Sequence, residues 1–466
     1  MEKVKESYLE LENSFEYDES IERFQYRVYD PLQGTPLNTT GQEIRIQILN
    51  EDIWTLPCKS FLYIEGQLLD SVANQPYAAN TLVALQNNAM MYLFSEARYH
   101  IGDHEVERFQ YPGQTTSIDA LLTKNKEFNG LDQCWSLDSG NGTPQTLGEI
   151  VNLAAGDIPG NTAVHILTAL QTVVTRVTDG LISQNKGFEE RRNYTSTAGT
   201  VGSFAFKIPL EFIFNFCKQY RKIIYGCKHS IIFPRQTDTQ AIIRNAGVAN
   251  AGKVNISKMQ WHVPVVIPNL EEKEILNDYI KNKKSFPLAF MNKKSENIIV
   301  PQATEFAWRL SIASGIEKPR YIVVGFQSPA ANAAETNYSI FNANVQVINA
   351  YIELNSERFP SNDYITNYDN NQYAQFYNSF KEFKKNYIGD DDENDCISYQ
   401  TFKKLYRLYV FDVSKPSERL KNTVVDIRIS FKFAANAPAN TTAYAVVYHD
   451  RIWSIESDGS KQYIRY

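Results

Sequence analysis

Phe61-Leu-Tyr-Ile-Glu-Gly-Gln-Leu68 alternates apolar with polar residues, and Glu43-Ile-Arg-Ile-Gln-Ile48 does the same shortly before it. Side chains of a strand point alternately to opposite faces, so each stretch reads as a β-strand with one face in a core and one toward solvent. The same signal recurs in both directions. Tyr92 to Ile101 runs into Gly102-Asp103, and His104 to Phe109 follows, which predicts a hairpin. Ser203–Ile208, Lys228–Phe233 and Lys253–Val266 read as further strands, the last expected to end where Pro264 and Pro268 interrupt a ladder.

A charged segment then intervenes, Leu270-Glu-Glu-Lys-Glu-Ile-Leu-Asn-Asp-Tyr-Ile280. Ile275, Leu276, Tyr279 and Ile280 recur at helical spacing, which predicts a short amphipathic helix. Strand signals resume at Phe286–Phe290, Phe306–Ala313, Tyr321–Gln327, Val345–Leu354, Tyr409–Val413, Val424–Phe433 and Ala443–Ile455. The expectation is an all-β chain in two halves: an N-terminal arm over 1–20, a first unit over 21–268, a linker helix within 269–285 and a second unit over 286–466. Helices enter as inserts. Tyr373, Phe376, Tyr377, Phe380, Phe383 and Tyr387 form one aromatic stripe on a helix expected over Asn371 to Tyr387, a stripe that suits packing on a sheet. Between Asn129 and Thr200 the signal is poor. Gly, Asn, Thr and Pro dominate its first part, Val164–Val177 fits helix or strand, and so irregular a connection suggests a functional or mobile segment. The tripeptide Tyr-Ile-Glu at Tyr63–Glu65 and Tyr351–Glu353 is too short to establish a duplication.

Composition agrees with an all-β reading. Hydrophobic residues are 43% of the 466, enough for a sizeable core, and the 13% aromatic share is mostly 28 Tyr and 26 Phe, residues that suit a pleated, half-buried surface. A net charge of −6 with interspersed signs argues against wrapping nucleic acid, which needs clustered Lys and Arg. Met1-Glu-Lys-Val-Lys-Glu-Ser-Tyr-Leu-Glu10 has no apolar core of a signal peptide, and no run approaches the length of a membrane span. Cys58, Cys134, Cys217, Cys227 and Cys396 are scattered and odd in number, so reduced thiols are expected. The sequons at Asn38, Asn193 and Asn440 carry no weight without secretion.

Three constellations resemble chemistry and fall short of it. Gly247-Val-Ala-Asn-Ala-Gly252-Lys253 matches a phosphate-cradling loop up to the lysine, but Val254 stands where a hydroxyl must hold magnesium, and a strand rather than a helix should follow. Asp390, Asp392 and Asn394 occupy the first ligand positions of a calcium loop, yet Asp395 replaces the turn glycine and Thr401 the bidentate carboxylate. His100 and His104 flank a turn with no further Cys or His beside them to complete a zinc site. His165, His229, His262 and His449 are isolated. No catalytic residue, metal ligand or cofactor is expected.

Several ordered blocks are similar to one family. They are Glu105-Val-Glu-Arg-Phe-Gln-Tyr-Pro-Gly-Gln-Thr-Thr-Ser117, Lys186-Gly-Phe-Glu-Glu-Arg-Arg192 and Ile223-Ile-Tyr-Gly-Cys-Lys-His-Ser230. Phe306-Ala-Trp-Arg-Leu-Ser-Ile-Ala-Ser-Gly-Ile-Glu-Lys-Pro-Arg-Tyr321, Leu354-Asn-Ser-Glu-Arg-Phe-Pro360 and the C-terminal stretches from Phe411 to Ile427, Pro438 to Ala445 and His449 to Arg451 continue them. Together they resemble the double jelly-roll-like proteins, the major capsid proteins of the adenovirus–tectivirus lineage and their polinton-like, adintovirus-like and endogenised relatives. The resemblance implies two tandem eight-stranded jelly-roll sandwiches with short helical inserts and a structural, non-enzymatic role. It implies trimers of pseudo-hexagonal outline tiling an icosahedral shell around a DNA genome. The expected partners are the chain itself as homotrimer, neighbouring capsomers and minor or penton capsid proteins. Tight sequence-specific nucleic-acid binding and a membrane span are not expected, and the expected location is the virion, assembled inside the host cell. Two other readings use the same fold: a carbohydrate-binding, lectin-like β-sandwich, and a cupin-type metalloenzyme, which the six scattered His disfavour.

Overall fold

A computed structural model describes residues 20–139, 185–195, 201–311, 318–328, 336–389, 395–415 and 426–465, apart from positions 33, 50, 51, 79, 80, 127, 129, 246, 343 and 460 within them. It also gives the backbone of two short strands between 164 and 175. The first half begins with β1 (Ile21–Tyr29), β2 (Glu43–Ile48), β3 (Trp54–Thr55), β4 (Phe61–Asp70) and β5 (Val83–Leu85). Next come β6 (Glu96–Ile101), β7 (His104–Gln110), α1 (Pro112–Thr123), β8 (Val164–Leu167), β9 (Thr172–Thr175) and α2 (Lys186–Thr195). It closes with β10 (Ser203–Pro209), α3 (Leu210–Ile213), α4 (Asn215–Gln219), β11 (Ile224–Tyr225), β12 (His229–Pro234), β13 (Ile242–Arg244) and β14 (Gly252–Pro268). Helix α5 (Leu270–Lys281) leads to β15 (Phe286–Ile299), β16 (Glu305–Arg309), β17 (Pro319–Gln327), β18 (Val347–Leu354) and β19 (Glu357–Phe359). The remainder is α6 (Ala374–Ile388), α7 (Tyr399–Lys404), β20 (Leu408–Asp412), β21 (Ile427–Phe433), β22 (Thr442–Ser457) and β23 (Gln462–Arg465).

Most of these strands form two pairs of antiparallel sheets, while β5 with β13 and β8 with β9 make two small two-stranded sheets. In the first half β10-β4-β14-β3-β11, with β1 added on β14, faces β2-β12-β6-β7. In the second, β15-β22-β17-β20, with β23 on β22, faces β16-β21-β18-β19. Alternation decides which residues enter: Ile44, Ile46 and Ile48 of β2 and Leu62, Ile64 and Leu68 of β4 are all within 1% of full burial and belong to one core. The second core is centred on Phe326, Phe431 and Phe433, with Phe376, Phe380 and Phe383 of α6 laid against it. The helical stripe read from sequence packs on β20 as expected, although the helix starts at Ala374 rather than Asn371. The all-β architecture with helical inserts is the one found.

Three expectations need correction. Residues Met91–Leu93 form a 3-10 turn, and the strand begins only at Glu96. Pro264 does not stop β14, which pairs with β1 through Tyr26. Its carbonyl accepts from the Leu56 N–H at 3.0 Å. The side lacking an N–H therefore points to the gap where β4 ends, opposite His262, and β3 begins, opposite Val265, so no ladder bond is lost. The two ends of the supposedly irregular stretch 129–200 are buried structure, as described below, while 164–167 and 172–175 are strands.

Candidate functional site: a buried junction and an open sheet face

The block Glu105–Ser117 builds a joint between the halves. It supplies the end of β7 and the start of α1, whose N-cap Tyr111 takes a left-handed φ of 51° before Pro112 opens the first turn. Gly113 is required by proximity: a Cβ there would lie 2.3 Å from the Tyr92 ring, whose hydroxyl donates to the Tyr338 carbonyl of the second half at 2.8 Å. Farther along α1, Ile118, Leu121 and Leu122 enter the second-half core. In exchange, Leu288, Phe290, Trp453, Ile455 and Ile464 fill the first-half core. Each core contains side chains from the other half.

Charges lie sealed in this joint. Glu107 accepts from the N–H groups of Asn215 (3.1 Å) and Phe216 (2.9 Å), the first turn of α4. Burial nevertheless pushes its carboxyl up to about 7, against the opposing pull of Lys293 and those two donors. Lys293 is fully buried, its ammonium 4.9 Å from the Phe109 ring and without a hydrogen-bond partner among the described residues. Burial lowers its pKa while Asp119 and Glu107 oppose that shift. Asp119 accepts from the Tyr448 hydroxyl at 3.1 Å and lies 3.4 Å from the Lys218 ammonium. Burial raises its pKa, but Lys218 and Lys293 outweigh burial and hold the carboxyl below its usual range.

A second buried pair fastens the insert. Arg191 of α2 contacts Asp138 at 2.6 Å and donates to the Leu85 carbonyl at 2.8 Å. Asp138 also accepts from Asn185 (2.9 Å) and, across the halves, from Asn337 (2.9 Å) and Ser339 (2.6 Å). Sequence reasoning quoted the helix that carries Arg191 but not its partner, because the two lie far apart in the chain and no pattern links them.

The outer face of the six-stranded sheet is open. Among the described residues β1 pairs only with β14, so it is an edge, and Ile21, Phe24, Tyr26 and Val28 are each more than 40% exposed. Tyr26 meets Phe24 (ring centroids 5.7 Å) and Phe61 (5.4 Å), Phe61 stacks on His262 (4.7 Å), and Tyr63 lies edge-on to His262 at 5.9 Å. Lysines stand over this row: Lys207 is 4.4 Å from the Phe61 ring, Lys258 5.6 Å from Tyr63 and Lys59 5.8 Å from Phe24. Burial, with Lys258 and Lys207 close by, lowers the His262 pKa. Tyr26, Lys59, Phe61, Lys207, Glu211 and Arg221 border a groove of about 600 Å³ on this face.

The motifs singled out from sequence are dispersed. Gly247–Ala251 is a loop, Lys253 donates to Asn74 at 3.3 Å, and the strand β14 runs on from Gly252 where a phosphate loop needs a helix. His100 pairs across the hairpin with Glu105, and His104 packs edge-on against Trp453 at 6.2 Å. Residues 390–394 of the acidic loop lie outside the described residues, while Asp395 sits 3.8 Å from Lys381. Among the described residues no three His, Cys, Asp or Glu side chains group as metal ligands, and no helix is long and apolar enough to cross a membrane.

Comparison with known proteins places this architecture. No curated protein sequence matches the chain. Solved structures resemble it from end to end at low identity. The mavirus major capsid protein is 11% identical with a TM-score of 0.54, covering 99% of this chain and 93% of its own. A chain of the Sputnik virophage is 10% identical with a TM-score of 0.53, covering 99% and 92%, and the Faustovirus major capsid protein is 10% identical with a TM-score of 0.51, covering 95% and 92%. At such identities the likeness speaks for the fold alone. The sequence itself matches the double jelly roll-like domain over residues 149–453, which is more than half of the chain and crosses from the first pair of sheets into the second. The chain therefore belongs to the double jelly roll-like family.

Proposed function

We propose that this chain is a viral major capsid protein, a structural subunit that assembles as trimers of pseudo-hexagonal outline and tiles an icosahedral shell around a DNA genome. One observation supports the reading above all: the likeness to capsid subunits covers nearly the full length of both chains. The construction suits the role. Two sandwiches, taken as residues 21–268 and 286–466 around the linker 269–285, are joined by mutually inserted core side chains. The buried charges are occupied with one another and with backbone groups rather than gathered around a substrate-sized cleft, which supports a non-enzymatic subunit. Its place is the virion, with neighbouring trimers and minor or penton proteins as partners. Mass photometry at micromolar concentration tests this: the expected mass is three times 53.3 kDa or a larger shell, with hexagonal outlines in negative stain. A monomer under all assembly conditions would sink it.

A further inference from the structure

A solvated sheet face ordinarily carries polar side chains. The outer face of the six-stranded sheet instead carries the row Phe24, Tyr26, Phe61 and Tyr63, with Lys59, Lys207 and Lys258 over the rings and Arg221 at the groove. Among the described residues none of these four cations is paired with a carboxylate. An aromatic floor whose rim carries Lys59, Lys207 and Arg221 against the single carboxylate of Glu211 fits an acidic segment that bears aromatic side chains.

The residues before Ser20 have that composition. Seven acidic residues stand there against Lys3 and Lys5, which accounts for −5 of the whole chain's −6, and Tyr8, Phe15 and Tyr17 are interleaved with them. Direction matters as well. Ser20 is anchored through its carbonyl to the Asn269 N–H at 2.9 Å, and from there β1 runs toward Phe24 and Tyr26. Ser20 thus lies at the Asn269 end of the strand, ahead of Phe24 and Tyr26. Nineteen residues span up to about 60 Å when extended, enough to reach an adjoining subunit.

Resting on the self-assembly reading above, we infer that residues 1–19 of one copy dock in the lysine-rimmed aromatic groove of a second copy, with a ring of Phe15 or Tyr17 on Tyr26 and Phe61 and carboxylates against Lys59 and Lys207. Exposed ion pairs of this kind weaken as salt screens them, so the docking is salt-sensitive.

Full-length protein with the photo-crosslinker p-benzoylphenylalanine in place of Phe15 tests this, using a mixture of isotopically light and heavy chains. The expected result is mixed light–heavy cross-links to peptides containing Tyr26, Lys59 or Phe61. Yield should fall at least tenfold in 1 M NaCl or in the triple variant Lys59→Glu, Lys207→Glu, Lys258→Glu. Reversing Glu10, Glu12, Glu16 and Asp18 to Lys in the same chain should restore it, which a misfolded face would not allow. Links confined to one chain, links that map elsewhere, or displacement by an equimolar single-stranded oligonucleotide, the sign of a nucleic-acid site, would each overturn the inference. Trimers with misplaced links leave the capsid reading standing without the docking. Correct links without trimers or shells leave the docking standing without the capsid.

Discussion

Glu107 carries a pH dependence opposite to that of most carboxylates. Its folded-state pKa is raised to about 7 from an ordinary value of 4.5, so between those values the folded state holds a proton that the unfolded chain has released. Stability from this group is therefore fully present below pH 4.5 and is lost as pH rises toward 7. His229 and His449 act in the other sense. Burial lowers them to about 3 and about 4, so their contribution is present above their ordinary pKa of 6.5 and disappears as pH falls toward those values. Between about pH 4.5 and 6.5 the Glu107 slope offsets part of the combined slope of the two histidines. Glu107→Gln removes that offset, and its stability is expected to drop more steeply on acidification than the wild type's, by up to about 1.4 kcal/mol per pH unit. Denaturant titrations at pH 5, 6 and 7 check this; parallel profiles would refute it. Asp138→Ala leaves Arg191 buried without its carboxylate, and a loss of about 3 to 5 kcal/mol is expected in the same experiment.

At the scale of elements, α1 shows what a side chain's absence accomplishes. Gly113→Ala places a methyl against a Tyr92 ring whose hydroxyl is held from the other half, so the helix or the ring must shift. The expected cost is about 1 to 3 kcal/mol, read as a lower denaturation midpoint. Most strands were legible because alternation is a local property: β2 matches the reading from Glu43 to Ile48, and β4, β10 and β12 match to within two residues. Helix α1 was not, since ten of its twelve residues are buried and it has no polar stripe to set a period. Pro264 misled for a related reason, because whether a missing N–H matters depends on what lies beside the strand. The junction charges were illegible throughout. Glu107, Asp119, Lys218 and Lys293 sit on β7, α1, α4 and β15, and only the tertiary fold brings them together.

For the molecule as a whole, the exchange of core residues predicts that neither half is independently stable. Trp453 belongs to β22 of the second half yet packs in the first core. Trp453→Ala is expected to cost about 3 to 5 kcal/mol and to raise amide hydrogen exchange in β6 and β12 as much as in β22. Exchange raised in β22 alone would mean that the halves unfold separately.

The same exchange has a consequence in time. Ile464 completes a core whose other half-lining, through Val263, is translated some two hundred residues earlier. At about 5 to 20 residues per second, the ribosome takes on the order of 10 to 40 s to cover that distance. Leu288 and Phe290 follow soon after Val263, but until Trp453, Ile455 and Ile464 are made the nascent first sandwich has part of its apolar wall uncovered. Its completion therefore lags the emergence of most of its strands, and a holding chaperone during synthesis would raise the yield of native chain.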